Sequence, residues 1–267
     1  MHKNVAALLA KFGVDPAGFE PHESAADVVS GEVPGEIATE LWMAIRELHG
    51  TTGVWPIFRG VDSSCDSFDV PEDTEAVPEG NMESLLLSRF VELKDVYADL
   101  LGKGAAKLSM EDAAARADAA AIYGSADGED VDWSSDEPDP EPLFLAAYDS
   151  EADCPVDSVW LSLVPVAHPW QAIQKLGFGG YNECPSPALL AALFREWHTA
   201  CGAEPAVITS TAIECFVARP PQTEAQAWKL AVEHWLTCED VVSQGTQSVR
   251  NLAKGLRLSP TWYFWWD

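Results

Sequence analysis

The sequence predicts an α+β fold, a mixed β-sheet covered by helices, and three observations carry that prediction. Segments of helical periodicity alternate with short runs rich in Val, Ile, Phe and Trp. From residue 143 onward the order reads β, loop, α, β, β, α, α, β, a mixture that suits helices packed on a sheet. Finally, Thr261–Asp267 holds five consecutive aromatics, Trp262, Tyr263, Phe264, Trp265 and Trp266. Each such side chain hides roughly 150–250 Å² and favours strands. The C-terminal residues are therefore expected to form a buried strand within the sheet rather than a loose tail.

The elements follow in order. Residues 4–12 read as a short helix with Val5, Leu8, Leu9 and Phe12 on one face. After a connection rich in Pro, Gly and acids, Ile37, Leu41, Trp42, Ile45 and Leu48 recur at helical spacing over 36–48, with His49-Gly50 as the stop. Val54–Phe58 reads as a strand, and Pro56 suggests an edge or a strand end. Residues 60–81 read as an acidic loop, 82–101 as a helix striped by Leu86, Phe90, Leu93, Tyr97 and Leu100, and 110–122 as an Ala-rich helix. Leu143–Tyr148 and Ser158–Val164 read as two paired strands. Ser186 caps a helix whose first residue is Pro187, where the orphan amides favour that arrangement. That helix buries Leu189, Leu190, Leu193, Phe194 and Trp197 and stops at Gly202. Ala206–Thr209 and Ile213–Ala218 read as a hairpin, although Ser210-Thr211 is poor turn chemistry. Thr223 caps a helix with Trp228, Ala231, Val232 and Trp235 inward, and 246–257 gives a last helix before the closing strand.

The 267 residues carry 43 Asp+Glu against 16 Lys+Arg, a net charge of −27. The surplus is uneven: residues 1–150 hold 31 acids and 9 bases, and the remainder 12 and 7. A surface of this kind repels nucleic acid and anionic membranes, and it attracts basic proteins at rates that fall with salt. It equally serves solubility. The expected organisation is a mainly helical acidic region over 1–123 packing on the rest, an acidic flexible loop over 124–142, and an α+β domain over 143–267. No apolar run reaches the roughly 18 residues needed to span a bilayer. Cys65, Cys154, Cys184, Cys201, Cys215 and Cys238 show no CxxC. Scattered through predicted helices and strands, they look like small buried thiols of a reducing, cytoplasmic compartment.

Chemistry is harder to place. Gly177, Gly179 and Gly180 let backbone approach something closely, and the loop delivers Asn182, Glu183 and Cys184 to a helix N-terminus that favours an anion. The loop lacks the Lys-Ser/Thr of a P-loop and the dinucleotide glycine pattern, and a tight turn packed on Trp170, Phe178 and Tyr181 explains it as well. Cys184, with His168 or His198 as base, matches no cysteine-enzyme signature. His198/Cys201 and His234/Cys238 have spacings that two helices could bring into a zinc site, yet incidental His and Cys on apolar helices are commoner. The acids of 124–142 lack EF-hand spacing. No metal or cofactor is expected.

In combination, Val159-Trp160 with Pro165, the run Gly177-Phe178-Gly179-Gly180-Tyr181-Asn182-Glu183-Cys184-Pro185, Ala218-Arg219-Pro220-Pro221 followed by Thr223-Glu224-Ala225, Glu233-His234, and Pro260, Trp262 and Phe264-Trp265-Trp266-Asp267 resemble the bacterial domain of unknown function numbered 4253. The resemblance covers about residues 157–267; Val54-Trp55-Pro56 is similar to an upstream strand of such proteins. It implies a bacterial, soluble, single-domain protein and supplies no activity and no catalytic residues.

Function is therefore expected in one of three forms. The first is an acidic binding module, immunity- or inhibitor-like, that acts on a basic protein such as a toxin or nuclease. It would use acids of 60–83 or of the loop: Asp127, Glu129, Asp130, Asp132, Asp136 and Glu137. The second is a small-molecule binder or enzyme with a pocket between the 177–187 loop and the closing strand. His168, Asn182, Glu183, His234 and Asp267 would supply its polar groups among Trp170, Tyr181 and Trp266. The third is a structural or regulatory domain.

Overall fold

The computed structural model describes residues 1–22, 25–61, 75–93 and 142–266. The helix expected over 110–122, the 94–101 part of its predecessor and all of the 124–142 loop except residue 142 lie outside them. The described helices are α1 (Lys3–Lys11), α2 (Gly35–Thr52), α3 (Met82–Leu93), α4 (Gln171–Lys175), α5 (Pro187–Cys201), α6 (Glu224–Thr237) and α7 (Val249–Leu256). The strands are β1 (Glu20–His22), β2 (Ala25–Pro34), β3 (Val54–Gly60), β4 (Tyr148–Asp149), β5 (Cys154–Pro155), β6 (Ser158–Pro165), β7 (Ala203–Ile208), β8 (Ala212–Val217) and β9 (Thr261–Trp265). Seven strands form one mixed sheet in the order β1-β2-β6-β3-β7-β8-β9, and β4 and β5 form a separate ribbon. The fold is α+β, with the C-terminal strand in the sheet.

The chain clusters into two compact units, each drawn from three segments: 1–76, 141–178 and 204–216 in one, 77–140, 179–203 and 217–267 in the other. In the first, β6 pairs antiparallel with both β2 and β3, and β3 meets β7 in parallel at Phe58 and Val207. Buried Trp42 on α2 packs edge-on against Trp55 (5.7 Å) and Phe144 (5.3 Å). Both indoles also donate, Trp42 Nε1 to the Pro56 carbonyl (2.9 Å) and Trp55 Nε1 to the Pro205 carbonyl (2.8 Å). Apolar bulk is buried this way without leaving an indole N–H unsatisfied. Ser30 and Ser162, register partners on β2 and β6, share a buried hydroxyl hydrogen bond of 2.8 Å.

Four expectations change here. Pro56 does not mark an edge: β3 lies between β6 and β7, and β7 engages it only at Phe58. α2 runs on past His49-Gly50 to Thr52 and stops at Gly53, whose φ of +64° suits a residue without Cβ. Residues 20–22 and 25–34, read as part of a connection, form β1 and β2. Leu143–Tyr148 is no partner of β6. It forms a 3₁₀ turn over Leu145–Ala147 because the buried Glu214 carboxylate accepts the amides of Leu145 (2.7 Å) and Ala146 (2.9 Å). Burial raises the Glu214 carboxyl to about 7 from its ordinary 4.5, against the lowering effect of those two amides.

The second unit is built around aromatic rings. β9 places Trp262 and Phe264 inward at 2% and 0% exposure and leaves Tyr263 at 40%, and Trp266, the next residue after the strand, is again buried at 2%. This is the alternation a strand imposes on neighbouring side chains. Trp197 of α5 stacks on Phe264 (5.6 Å) and meets Trp262 edge-on (5.9 Å). The Val217 amide donates to the Pro260 carbonyl at the entry to β9 (2.8 Å). α7 buries Val249, Leu252, Ala253 and Leu256, and a π-helical turn over Val241–Thr246 precedes it.

Candidate functional site

Within the second unit a pocket of about 380 Å³ opens between the C-terminal half of α5, the 219–222 segment and α6. Each of its walls has a local cause. The Ser186 hydroxyl accepts the Leu189 amide and starts α5 at Pro187, so that Trp197, Ala200 and Cys201 fall on its last turns. The side chain of Arg219 donates from Nη2 to the carbonyls of His198 (3.4 Å) and Thr199 (3.2 Å), near the C-terminal end of α5 where cations are favoured. Pro220 and Pro221 follow, with fixed φ and no N–H to satisfy. Thr223 and Gln226 then close a capping box at the start of α6, and Gln226 Oε1 also accepts the Gln222 amide (3.1 Å). One α6 stripe, Gln226, Leu230 and Glu233, lines the pocket at helical spacing, with Lys229 beside it.

Glu233 is the distinctive group. Its side chain is 8% exposed, its Oε2 accepts Trp197 Nε1–H (2.9 Å), and Lys229 Nζ stands 3.9 Å from its Oε1 with that lysine 75% exposed. Burial raises its pKa above the ordinary carboxylate range, with the Trp197 hydrogen bond and the Lys229 charge opposing. A carboxylate taken out of water and met by one neutral donor and one loose, solvated cation is costly to keep. Such groups concentrate at sites of binding and chemistry. The Cys201 thiol donates to the Trp197 carbonyl (3.0 Å), and burial pushes it up to about 12, so it lines the pocket as an unionised, inert group.

None of the seven described residues among the eight proposed from sequence for a pocket lines this one. His168 and Trp170 belong to the first unit, where their rings stack at 5.3 Å and His168 is exposed. In the second unit Asn182 and Glu183 are exposed, and Tyr181 is half-buried with its phenol pushed above its ordinary range by burial. His234 is 1% exposed inside a box formed by Trp197 (5.0 Å), Trp262 (4.5 Å) and Phe264 (4.6 Å). Its Nε2 has no hydrogen-bond partner among the described residues, and burial lowers its pKa to about 3, so the ring is neutral. Trp266 stacks on Phe264 (6.1 Å). Asp267 and the six acids Asp127, Glu129, Asp130, Asp132, Asp136 and Glu137 lie outside the described residues.

The glycine loop closes on itself. Gly180 donates to the Pro185 carbonyl (2.9 Å), and a Cβ on Gly179 would meet that same oxygen at 2.3 Å, at a φ of +119°. Cys184 is 4% exposed and burial raises its thiol, the opposite of an activated nucleophile. Among the described residues no group of three or more His, Cys, Asp and Glu could hold a metal ion, and no helix is long and apolar enough to cross a membrane. In the His/Cys pairs weighed and set aside as zinc ligands, the Cys238 thiol donates to the Trp265 carbonyl (2.9 Å) and His198 Nδ1 contacts the Ala203 carbonyl (3.3 Å).

The pocket residues that sequence reasoning passed over had one available signal. Glu233 falls between Leu230 and His234 on α6, and the structure buries all three, although the sequence reading named only Trp228, Ala231, Val232 and Trp235 as the inner face. No curated protein and no solved structure matches the chain. Residues 160–267, which contain the whole pocket, match the model of the family described as Domain of unknown function (DUF4253).

Proposed function

We propose that the C-terminal part of the chain binds a small organic molecule in the α5/α6 pocket. The observation that carries this reading is Glu233, a buried carboxylate met among the described residues by a neutral indole donor and a loose lysine, at the wall of a partly apolar pocket. The volume, about 380 Å³, lies at the small end of the usual range of roughly 300–1,000 Å³. Trp197, Leu230, Pro220 and Pro221 offer apolar contact, and Glu233, Arg219, Gln222 and Gln226 offer polar anchors. A thermal-shift screen of small metabolites against the full chain tests the reading, repeated with Ala200→Trp, which fills the pocket from an exposed position. Stabilising compounds that lose their effect in Ala200→Trp support it; hits that persist unchanged in the variant refute it.

A second reading rests on charge. The net −27, concentrated in residues 1–150, supports an immunity- or inhibitor-like module that captures a basic protein. Cys154, Cys184, Cys201 and Cys238 are free thiols, which suits a reducing cytoplasm. Association with a basic partner that slows steeply with added salt supports this reading, and salt-insensitive association counts against it.

A further inference from the structure

The charges lining the pocket restrict what it can hold. Glu233 supplies one buried negative group, while Arg219 and Lys229 supply two positive ones. A simple cation seated on Glu233 would face both bases. A simple anion seated on Arg219 would face Glu233, and would approach through the field of a chain carrying −27. A molecule with both charges and no net charge meets neither objection.

We infer that the pocket takes a zwitterion of the α-amino acid class, with its ammonium on Glu233 and its carboxylate on Arg219. This rests on the reading of the pocket as a ligand site. Glu233 is suited to the ammonium because Oε2 is already fixed by Trp197 Nε1–H (2.9 Å), while Oε1 has Lys229 Nζ at 3.9 Å, beyond hydrogen-bond length, as its cation among the described residues. Lys229 is 75% exposed and loses little by swinging back into water when a ligand amine arrives. Arg219 is held by its Nη2 contacts to the His198 and Thr199 carbonyls, and a guanidinium carries further donors in a fork that matches a carboxylate. Trp197, Leu230 and the Pro220-Pro221 wall are left for an apolar side chain. No bond is made or broken; the inference concerns recognition alone.

The test is isothermal titration of the full chain with three matched probes: L-phenylalanine, phenethylamine, which lacks its carboxylate, and 3-phenylpropionate, which lacks its amine; L-leucine and its two truncated analogues form a second set. The zwitterion is expected to bind at least about tenfold more tightly than either analogue, one charged hydrogen bond being lost in each. Glu233→Gln is expected to weaken the amino acid by about 10- to 100-fold while leaving 3-phenylpropionate unchanged. Lys229→Ala is expected to tighten the amino acid, because a competing cation is removed. Analogues that bind as well as the amino acids, with binding still lost in Ala200→Trp, overturn the zwitterion inference and leave the pocket reading standing. Binding of any probe that survives Ala200→Trp undiminished overturns both. A circular dichroism melt of each variant identifies a loss that comes from unfolding, in which case Lys229→Ala, at an exposed position, decides: unchanged or weakened affinity there refutes the proposed displacement.

Discussion

The Trp197–Glu233 hydrogen bond gives the most informative perturbation. Trp197→Phe keeps an aromatic ring against Phe264 and His234 but removes the only donor that reaches Glu233 Oε2 at hydrogen-bond distance among the described residues. A hydrogen bond to a charged group contributes about 1.5–3 kcal/mol, and the smaller ring adds a packing loss below the roughly 3–5 kcal/mol of a full truncation to Ala. A double-mutant cycle with Glu233→Gln separates the two, since packing is common to both arms. The coupling energy is expected at about 0.5–1.5 kcal/mol, because the Gln amide oxygen can still accept from the indole and the cycle reads only the difference between the two acceptors. The pH dependence has a definite sign. A carboxyl with its folded pKa raised gives stability that is present below its unfolded pKa and lost as pH rises through the folded value. Removing Trp197 takes away a lowering influence, so the penalty of Trp197→Phe should grow as pH rises. Urea midpoints at several pH values measure it. A penalty that does not change with pH, together with a coupling below about 0.5 kcal/mol, would refute the assignment of Glu233 as a buried, indole-anchored carboxylate.

Three further outcomes are expected. Phe264→Ala, at a fully buried position stacked on Trp197 and Trp266, should cost about 3–5 kcal/mol in urea denaturation; a cost typical of a surface site would show that β9 does not anchor the aromatic core. Glu214 has its pKa raised to about 7, so its contribution is present below 4.5 and lost as pH rises through about 7; Glu214→Gln should flatten that part of the stability profile. Gly179→Ala forces a Cβ to within 2.3 Å of the Pro185 carbonyl at a φ of +119°, and should lower the melting temperature measurably, backbone strain of this kind costing about 1–3 kcal/mol.

What was legible in the sequence was local. Ser186 with Pro187, and Thr223 three residues before Gln226, marked two helix starts because a cap is a short-range hydrogen bond written in adjacent residues. The stripes of α2, α5 and α6 were legible for the same reason, as was the alternation of β9. The Ser210-Thr211 turn looked poor because the solution sits one residue earlier: Thr209 Oγ1 accepts the amides of Thr211 and Ala212. Where the cause is distant, reading failed. β2 holds Asp27, Glu32, Gly31 and Pro34, and becomes a strand through its pairing with β6, more than a hundred residues on. Leu145–Ala147 is turned by Glu214, 68 and 69 residues away. The pocket is of this second kind, drawn from 197–201, 219–222 and 226–233 with no motif spanning them. Ala218–Pro221 and Glu233-His234 were visible as words, yet only the fold shows that Arg219 and Glu233 share a cavity.

The most direct test is the indole N–H resonance of Trp197, assigned by its loss in Trp197→Phe, followed while L-phenylalanine is titrated into the full chain. Because that proton is donated to the carboxylate meant to receive the ligand's ammonium, its resonance should move saturably with the binding isotherm, and should stay fixed in Ala200→Trp. Binding that leaves the Trp197 indole unmoved would place the ligand elsewhere and contradict the account.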